Sequence, residues 1–132
     1  MNEIFAAIFA RLQAELTGIN IFDHVPQDIE NSAYPLVRVD AVNTTDNGTD
    51  TEIGFVAECQ IVTYSRYKGF KEINEICDQV FFALHRWNFP ATISFGISGI
   101  RQTARTTNVN PDGLTRHGVQ RYEIIFEPLP TT

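Results

Sequence analysis

The sequence has few of the residues that build metal centres, disulfide scaffolds and membrane spans. Its 132 residues include two cysteines and three histidines, and no apolar run approaches the ~20 residues that cross a bilayer. Two cysteines cannot make a disulfide framework or a metal quartet, so we expect Cys59 and Cys77 to be buried free thiols, which suits a reducing cytoplasm. The first apolar run contains Glu3 and Arg11, a pattern that disfavours a secretory signal.

Positive charge is also scarce. The net charge is −6, which argues against general nucleic-acid binding. Residues 1–60 hold ten acidic and two basic residues, whereas residues 61–132 hold six acidic and eight basic ones. Two interpretations stay open. The charges could simply solvate the surface, or copies of the chain could pair head to tail, which produces closed rings or open filaments.

Catalytic and nucleotide-binding motifs are missing from the sequence. The stretch YSRYKGF at 64–70 resembles a strand-to-helix phosphate loop, but it has one glycine, and no Ser or Thr follows its lysine. We therefore interpret Gly69 as a turn or cap residue. A thiol dyad of Cys59 with His24 or His117 is chemically conceivable, yet Cys59 falls on the apolar side of its predicted strand. We expect no catalytic residue, no cofactor and no metal site.

What the chain does have is hydrophobic periodicity. Its 43% hydrophobic content predicts a globular fold, and 132 residues suit one domain with one core. Apolar residues at helical spacing predict helices over 3–17 and 70–86. Alternating or apolar runs predict a short edge strand at 19–25 and four longer strands, at 36–42, 53–64, 92–105 and 117–127.

Hairpin pairs of strands alternate with helices along this order. That arrangement predicts an α+β fold, with one mainly antiparallel sheet and two helices packed on one of its faces. Cys59 should lie in mid-strand and Cys77 on the buried side of the second helix. Residues 128–132 should form a loose C-terminal tail of the single domain.

Two polar segments stand out as candidate sites, at 43–52 and 104–116. Loops of this length in a compact domain are often functional. They could be mobile, or they could be arms that dock a neighbouring molecule. The candidate interface residues are Thr45, Asp46, Asn47, Asp50, Arg66, Lys68, Arg105, Asn108, Asn110, Asp112 and Arg116.

Short motifs in a fixed order resemble a known family. FDHVP at 22–26, Tyr34-Pro35, YSR at 64–66 with Gly69, and a final hairpin containing Asp112-Gly113, Arg116, His117 and Tyr122 are spread over nearly the whole chain. Together they resemble the tail-completion, or tail-to-head joining, proteins of long-tailed bacteriophages, relatives of the siphophage tail terminators. The order Tyr34-Pro35 departs from the family, which more often has proline before an aromatic residue.

The resemblance implies a structural virion protein rather than an enzyme. Such proteins form a homohexameric ring at the head-proximal end of the tail, assembled in the host cytoplasm. The ring caps the tail tube, ends its polymerisation and offers a docking surface to the head connector. The partners would be other copies, the tail tube protein and the connector or head-completion protein, with DNA only passing through the lumen and no membrane involved.

Three other interpretations remain open at this point. The chain could be a head-completion protein on the connector side, which would leave tail length normal. It could be a small ligand-binding or enzymatic domain, or a cellular α+β binding protein unrelated to phages.

Overall fold

The computed structural model describes residues 2–23, 33–46, 48, 53–90 and 95–128. Two helices and five strands follow the predicted order. The helices are α1 (Asn2–Glu15) and α2 (Lys71–Leu84); the strands are β1 (Asn20–Phe22), β2 (Leu36–Asp46), β3 (Phe55–Ser65), β4 (Phe95–Val109) and β5 (Arg116–Pro128). Neither helix is long and apolar enough to cross a membrane.

The five strands form one sheet in the order β1-β2-β3-β5-β4. Only β1 runs parallel to its neighbour; the other three pairings are antiparallel. The prediction of an α+β fold with a mainly antiparallel sheet is confirmed. The strands β2, β3 and β5 pair along most of their length, so the two ends of the sheet lie far apart.

Both helices cover one face of this sheet. Every second side chain from Ala57 to Ser65 on β3, and every second residue from Gly118 to Phe126 on β5, faces the helices and is buried, as the period-two rule requires. The helices add Ile4, Ile8 and Leu12 from α1, with Leu16 just after it, and Ile73, Ile76, Cys77, Val80, Ala83 and Leu84 from α2. Cys59 and Cys77 are buried and free, as expected.

The core closes most tightly where α2 crosses β5. Gly118 faces α2, and a Cβ added there would lie 2.7 Å from Cys77 Sγ. Nearby, the buried Gln120 donates to the Cys77 carbonyl oxygen at 2.9 Å and to Gln102 Oε1 at 2.8 Å, and Tyr122 OH donates to the same Gln102 oxygen at 3.1 Å. The helix therefore sits directly on the sheet, and a polar network is enclosed between them.

Three of the strands, β2, β4 and β5, are longer than the sequence pattern predicted. β2 continues to Asp46 instead of ending at 42, because a bulge between Ala41 and Asn43 lets Thr44 and Thr45 keep pairing with β3. The predicted loop at 43–52 is thus partly strand. Likewise β4 reaches Val109, and the connection to β5 shrinks from 104–116 to residues 110–115.

Smaller differences concern the edges of elements. The strand predicted at 53–64 begins later, so Ile53 precedes β3 and is 64% exposed. Phe70 was predicted to begin the apolar stripe of α2, yet it is the residue before the helix and is 40% exposed. Pro128 is the last residue of β5 rather than part of a tail.

Candidate assembly interface

A surface at one end of the sheet collects basic and apolar side chains from two connections. The link from β3 to α2 and the turn from β4 to β5 meet there. We call this surface the basic corner; it comprises Arg66, Tyr67, Lys68, Phe70, Lys71, Val109, Leu114 and Arg116. Gly69 has a φ of +90°, the left-handed conformation that lets the chain turn sharply from strand to helix.

The β4–β5 turn is held by one carboxylate. Asp112 accepts hydrogen bonds from the backbone N–H groups of Leu114 and Thr115 and from Thr115 Oγ, each at 2.8 Å. These bonds lower the pKa of Asp112 below its ordinary value, because they stabilise the ionised form. His117 Nδ1 contacts Asn110 Oδ1 at the base of the same turn. These contacts give the turn a defined conformation at the surface.

Two arginines join the turn to the link before α2. Arg66 Nε donates to Thr115 Oγ at 3.1 Å, and the Arg66 guanidinium lies 4.2 Å from the ring centroid of Tyr34. Arg116 Nη1 donates to the carbonyl oxygens of Tyr67 and Leu114 at 3.2 Å. The Arg116 guanidinium also lies 5.4 Å from the Phe70 ring. These contacts restrict the positions of both guanidinium groups.

The basic corner also exposes an unusual amount of apolar surface. Tyr67 and Leu114 are 53% and 51% exposed, and Val109 and Phe70 are 43% and 40% exposed. These are four of the seven large hydrophobic side chains that are exposed in the described part of the chain. Aromatic residues and arginine on a shaped, partly apolar surface are typical of protein–protein interfaces.

Toward the far end of the sheet, the open face carries three carboxylates, with Arg101 and Arg121 beside them. Glu58 on β3 lies directly opposite Glu123 on β5, on the face that the helices leave open. Glu127 and the half-exposed Ile125 follow on the same face of β5. We call Glu58, Glu123, Ile125 and Glu127 the acidic patch. Arg101 Nη2 approaches Glu123 at 3.6 Å, and no other ion pair reaches the patch from the described residues.

The structure separates the candidate residues into two groups. Arg66, Lys68, Asn110, Asp112 and Arg116 come together at the basic corner, with Asn108 beside them in register with His117. Thr45 and Asp46 lie at the other end of the sheet and are exposed. Asn47 and Asp50 fall outside the described residues.

Arg105, by contrast, turns toward the helix side. Its guanidinium donates to Asp78 Oδ1 at 2.6 Å and to the Asn74 carbonyl oxygen at 3.1 Å. This side chain therefore ties β4 to α2 within the chain.

The chemistry available for catalysis is poor among the described residues. Burial raises the pKa of the Cys59 thiol to about 12, and the pKa of the Cys77 thiol is raised for the same reason, so neither forms a thiolate readily. His24, one proposed partner of Cys59, lies outside the described residues. No group of three or more potential metal ligands occurs among the described residues.

One open cleft of about 480 Å³ runs between the segment after α2 and β4. Its lining combines Trp87, Phe89 and Phe95 with Arg86. Aromatic rings and one guanidinium offer a contact surface, but no nucleophile paired with a base.

Sequence analysis missed the apolar half of the basic corner and the acidic patch. Tyr67 and Leu114 were passed over because single apolar residues in polar loops are ordinary surface features. The Glu58–Glu123 pair depends on strand register, which joins residues far apart in the chain. One feature of the sequence could have indicated this pair: each glutamate lies within a largely apolar strand, on the side away from the helices.

The fold and these surfaces define an α+β domain suited to protein assembly. Comparison with solved structures agrees on the fold: a chain described as "Virion of native gene transfer agent (GTA) particle" superposes with a TM-score of 0.82, at 19% identity, covering 94% of each chain. No curated protein matches this chain significantly.

The family follows from the sequence match. Residues 4–127 match the family model described as "Tail completion protein gp17". The chain therefore belongs to the tail completion protein gp17 family, as its motifs suggested. This membership supports a structural role in the tail of a phage-like virion and suggests a function that is not enzymatic.

Proposed function

We propose that this chain forms a homohexameric ring on the head-proximal end of a phage tail. The ring caps the tail tube, stops its polymerisation and presents the surface that docks to the head connector. The observation that carries the proposal is the family match over residues 4–127, nearly the whole chain. Because the match covers nearly the whole chain, the proposal assigns the structural role to this single domain.

The geometry of the described residues supports a ring. Six of the seven exposed large hydrophobic side chains lie toward the two ends of the sheet, and the seventh, Phe82, lies on α2. The two ends differ from each other in charge. A contact between two different surfaces is heterologous, and heterologous contacts close into rings when the rotation between copies permits it.

Termination of a tube requires recognition rather than bond chemistry. A growing tube ends in a circle of identical subunit edges. A ring that binds this circle through one face and presents a different face outward blocks further addition. Contacts that are individually weak become strong together, because each is repeated around the symmetry axis. The lumen must let DNA pass, and the excess of acidic residues disfavours adhesion to its phosphates.

The candidate interface residues fit into this proposal as contact points. We propose that the segment 43–52 and the region 104–116 lie at faces of the ring or along its lumen. Alanine substitutions at Lys68 and Asn108, which are exposed, should preserve the fold and reduce joining of tails to heads. A loss of folding in these variants would show that the residues serve the domain itself.

Electron microscopy of a lysate from a phage that lacks this gene tests the function directly. Over-long tubes beside filled, tailless heads are expected, and a plasmid copy of the gene should restore normal particles. Tails of normal length beside filled heads would instead assign the chain to joining alone or to the connector side. Intact infectious particles would overturn the proposal.

A further inference from the structure

We infer that the basic corner of one copy docks onto the acidic patch of the next copy, and that this contact is the repeating interface of the ring. The inference rests on the proposed ring and adds which surfaces meet. A second copy of the chain is the occupant because both complementary surfaces are present on every copy.

Charge complementarity is the first argument. The basic corner carries Arg66, Lys68, Lys71 and Arg116, and two of the acids beside it, Asp112 and Glu72, are engaged within the chain. Asp112 binds the turn that contains Thr115, and Glu72 Oε1 accepts from Ser65 Oγ at 2.7 Å. Lys68 and Lys71 are exposed and form no ion pair with a described carboxylate. The corner therefore presents cations outward.

The second argument is that each surface contains a charge that lowers the stability of the isolated domain. Glu58 and Glu123 are directly cross-strand, where like charges destabilise a sheet. Lys71 is the first residue of α2, where the helix dipole disfavours a cation, and the preceding Phe70 has no side-chain acceptor to cap the helix. A partner of opposite charge would relieve both costs at once.

Apolar contacts supply the third argument. Tyr67 and Leu114 project from the basic corner, and Ile125 lies between Glu123 and Glu127 in the acidic patch. An interface with apolar side chains at its centre and charges around them matches the anatomy of stable protein contacts. The charges set the orientation of the two copies, and the apolar side chains exclude water between them.

The two surfaces cannot meet within one chain. Glu58 and Ser65 are separated along β3 by roughly 23 Å at ~3.3 Å per residue, and Lys68 lies further on in the link. A covalent bond formed directly between a Lys68 amine and a Glu58 carboxylate must therefore join two molecules.

A carbodiimide, which links amines to carboxylates without a spacer, tests this contact on assembled tails. Tails grown from a mixture of light and ¹⁵N-labelled chain would be cross-linked and digested for mass spectrometry. We expect mixed-isotope peptides that join Lys68 or Lys71 to Glu58, Glu123 or Glu127.

The alternative results separate this inference from the proposed ring. Mixed-isotope links that never include the acidic patch would overturn the inference while the ring stands. Lysine links only to another virion protein would assign the basic corner to that partner and also overturn it. No link of any kind between copies, together with no ring in averaged images of the tail end, would overturn both.

An independent test reverses these charges and measures how much of each variant is incorporated into tails. The double variant Lys68→Glu/Lys71→Glu should lower incorporation by roughly tenfold or more, because it opposes like charges across the interface. Combining it with Glu58→Lys/Glu127→Lys should restore most of the loss. Gln13→Lys is the control, since Gln13 is exposed on α1 and lies outside both surfaces. Failure of the combined variant to recover, when all variants fold normally, would count against the contact.

Discussion

The two faces of the sheet obey different physical requirements. The face under the helices is largely apolar and closely packed, and it encloses a hydrogen-bond network around Gln120. The open face carries Arg38, Asp40, Glu58 and Glu123, and it tolerates a like-charge pair that the covered face could not contain. The comparison indicates that the covered face determines whether the domain folds, whereas the open face and the strand ends determine what it meets.

Neighbouring isoleucines on β5 provide the largest test of this comparison. Ile124 is fully buried under the helices, whereas Ile125 points to the open face and is 37% exposed. Ile124→Ala should lower the free energy of unfolding by about 2–5 kcal/mol, because it removes buried methyl groups and leaves a cavity. Ile125→Ala should change it by about 0.5 kcal/mol or less.

Urea denaturation of both variants measures the difference. Equal destabilisation by the two substitutions would mean that the open face is covered in the isolated chain, and the distinction between the faces would be lost. Tail incorporation should show the reverse order, since Ile125 belongs to the acidic patch.

The close approach of α2 to β5 provides the test with the next largest expected change in stability. Gly118→Ala places a methyl group 2.7 Å from Cys77 Sγ, so α2 must shift or the thiol must rotate. We expect a loss of about 1–3 kcal/mol in the free energy of unfolding. Gly99→Ala is the control, because nothing lies within 4 Å of its added Cβ.

Removing the opposing sulfur should reveal the cause. In a double-mutant cycle, Cys77→Ala should recover part of the cost of Gly118→Ala, which gives a favourable coupling energy. Strict additivity of the two substitutions would argue that the strain arises from the backbone of β5.

Much of this fold was predictable, and the limit of prediction has a physical reason. The stripe from Ile4 to Leu16 and the alternation through Cys59 report burial within one element, so the sequence alone identifies them. The extension of β2 to Asp46 depends on a bulge and on a neighbouring strand, neither of which leaves a local signal. Proximity of Tyr67 to Leu114, or of Glu58 to Glu123, arises from pairing between distant segments. Arg66, Lys68 and Arg116 were among the predicted interface residues, but Lys71 was not, and neither was the grouping of all four in one surface.

The turn between β4 and β5 belongs to neither face, and its effect should be local. The pKa of Asp112 is below its ordinary value in the folded chain, so the stabilisation that it gives is present above that ordinary value. It should be lost as the pH falls below about 4 and the carboxylate takes up a proton. Amide resonances of Leu114 and Thr115 should shift together in that range.

Nuclear magnetic resonance spectra of Asp112→Asn provide the comparison for this titration. The amide keeps an acceptor for the turn but has no charge to titrate, so its Leu114 and Thr115 signals should stay constant with pH. A wild-type titration of these signals at an ordinary carboxyl pKa would mean that the turn is not held by the carboxylate in solution.

The substitution with the smallest expected change in stability separates folding from assembly most clearly. Glu58→Gln removes the repulsion from Glu123 directly across the strands, so the free energy of unfolding should rise by about 0.2–1 kcal/mol. Glu75→Gln, on exposed α2 surface, should leave it unchanged. The same Glu58→Gln chain should enter tails less efficiently, because one carboxylate facing the basic corner of the next copy is gone. A variant that is both more stable and less able to assemble would identify Glu58 as a residue kept for contact rather than for the fold. Lower stability would mean instead that Glu58 serves its own sheet, and the argument from unfavourable charge would no longer support the acidic patch.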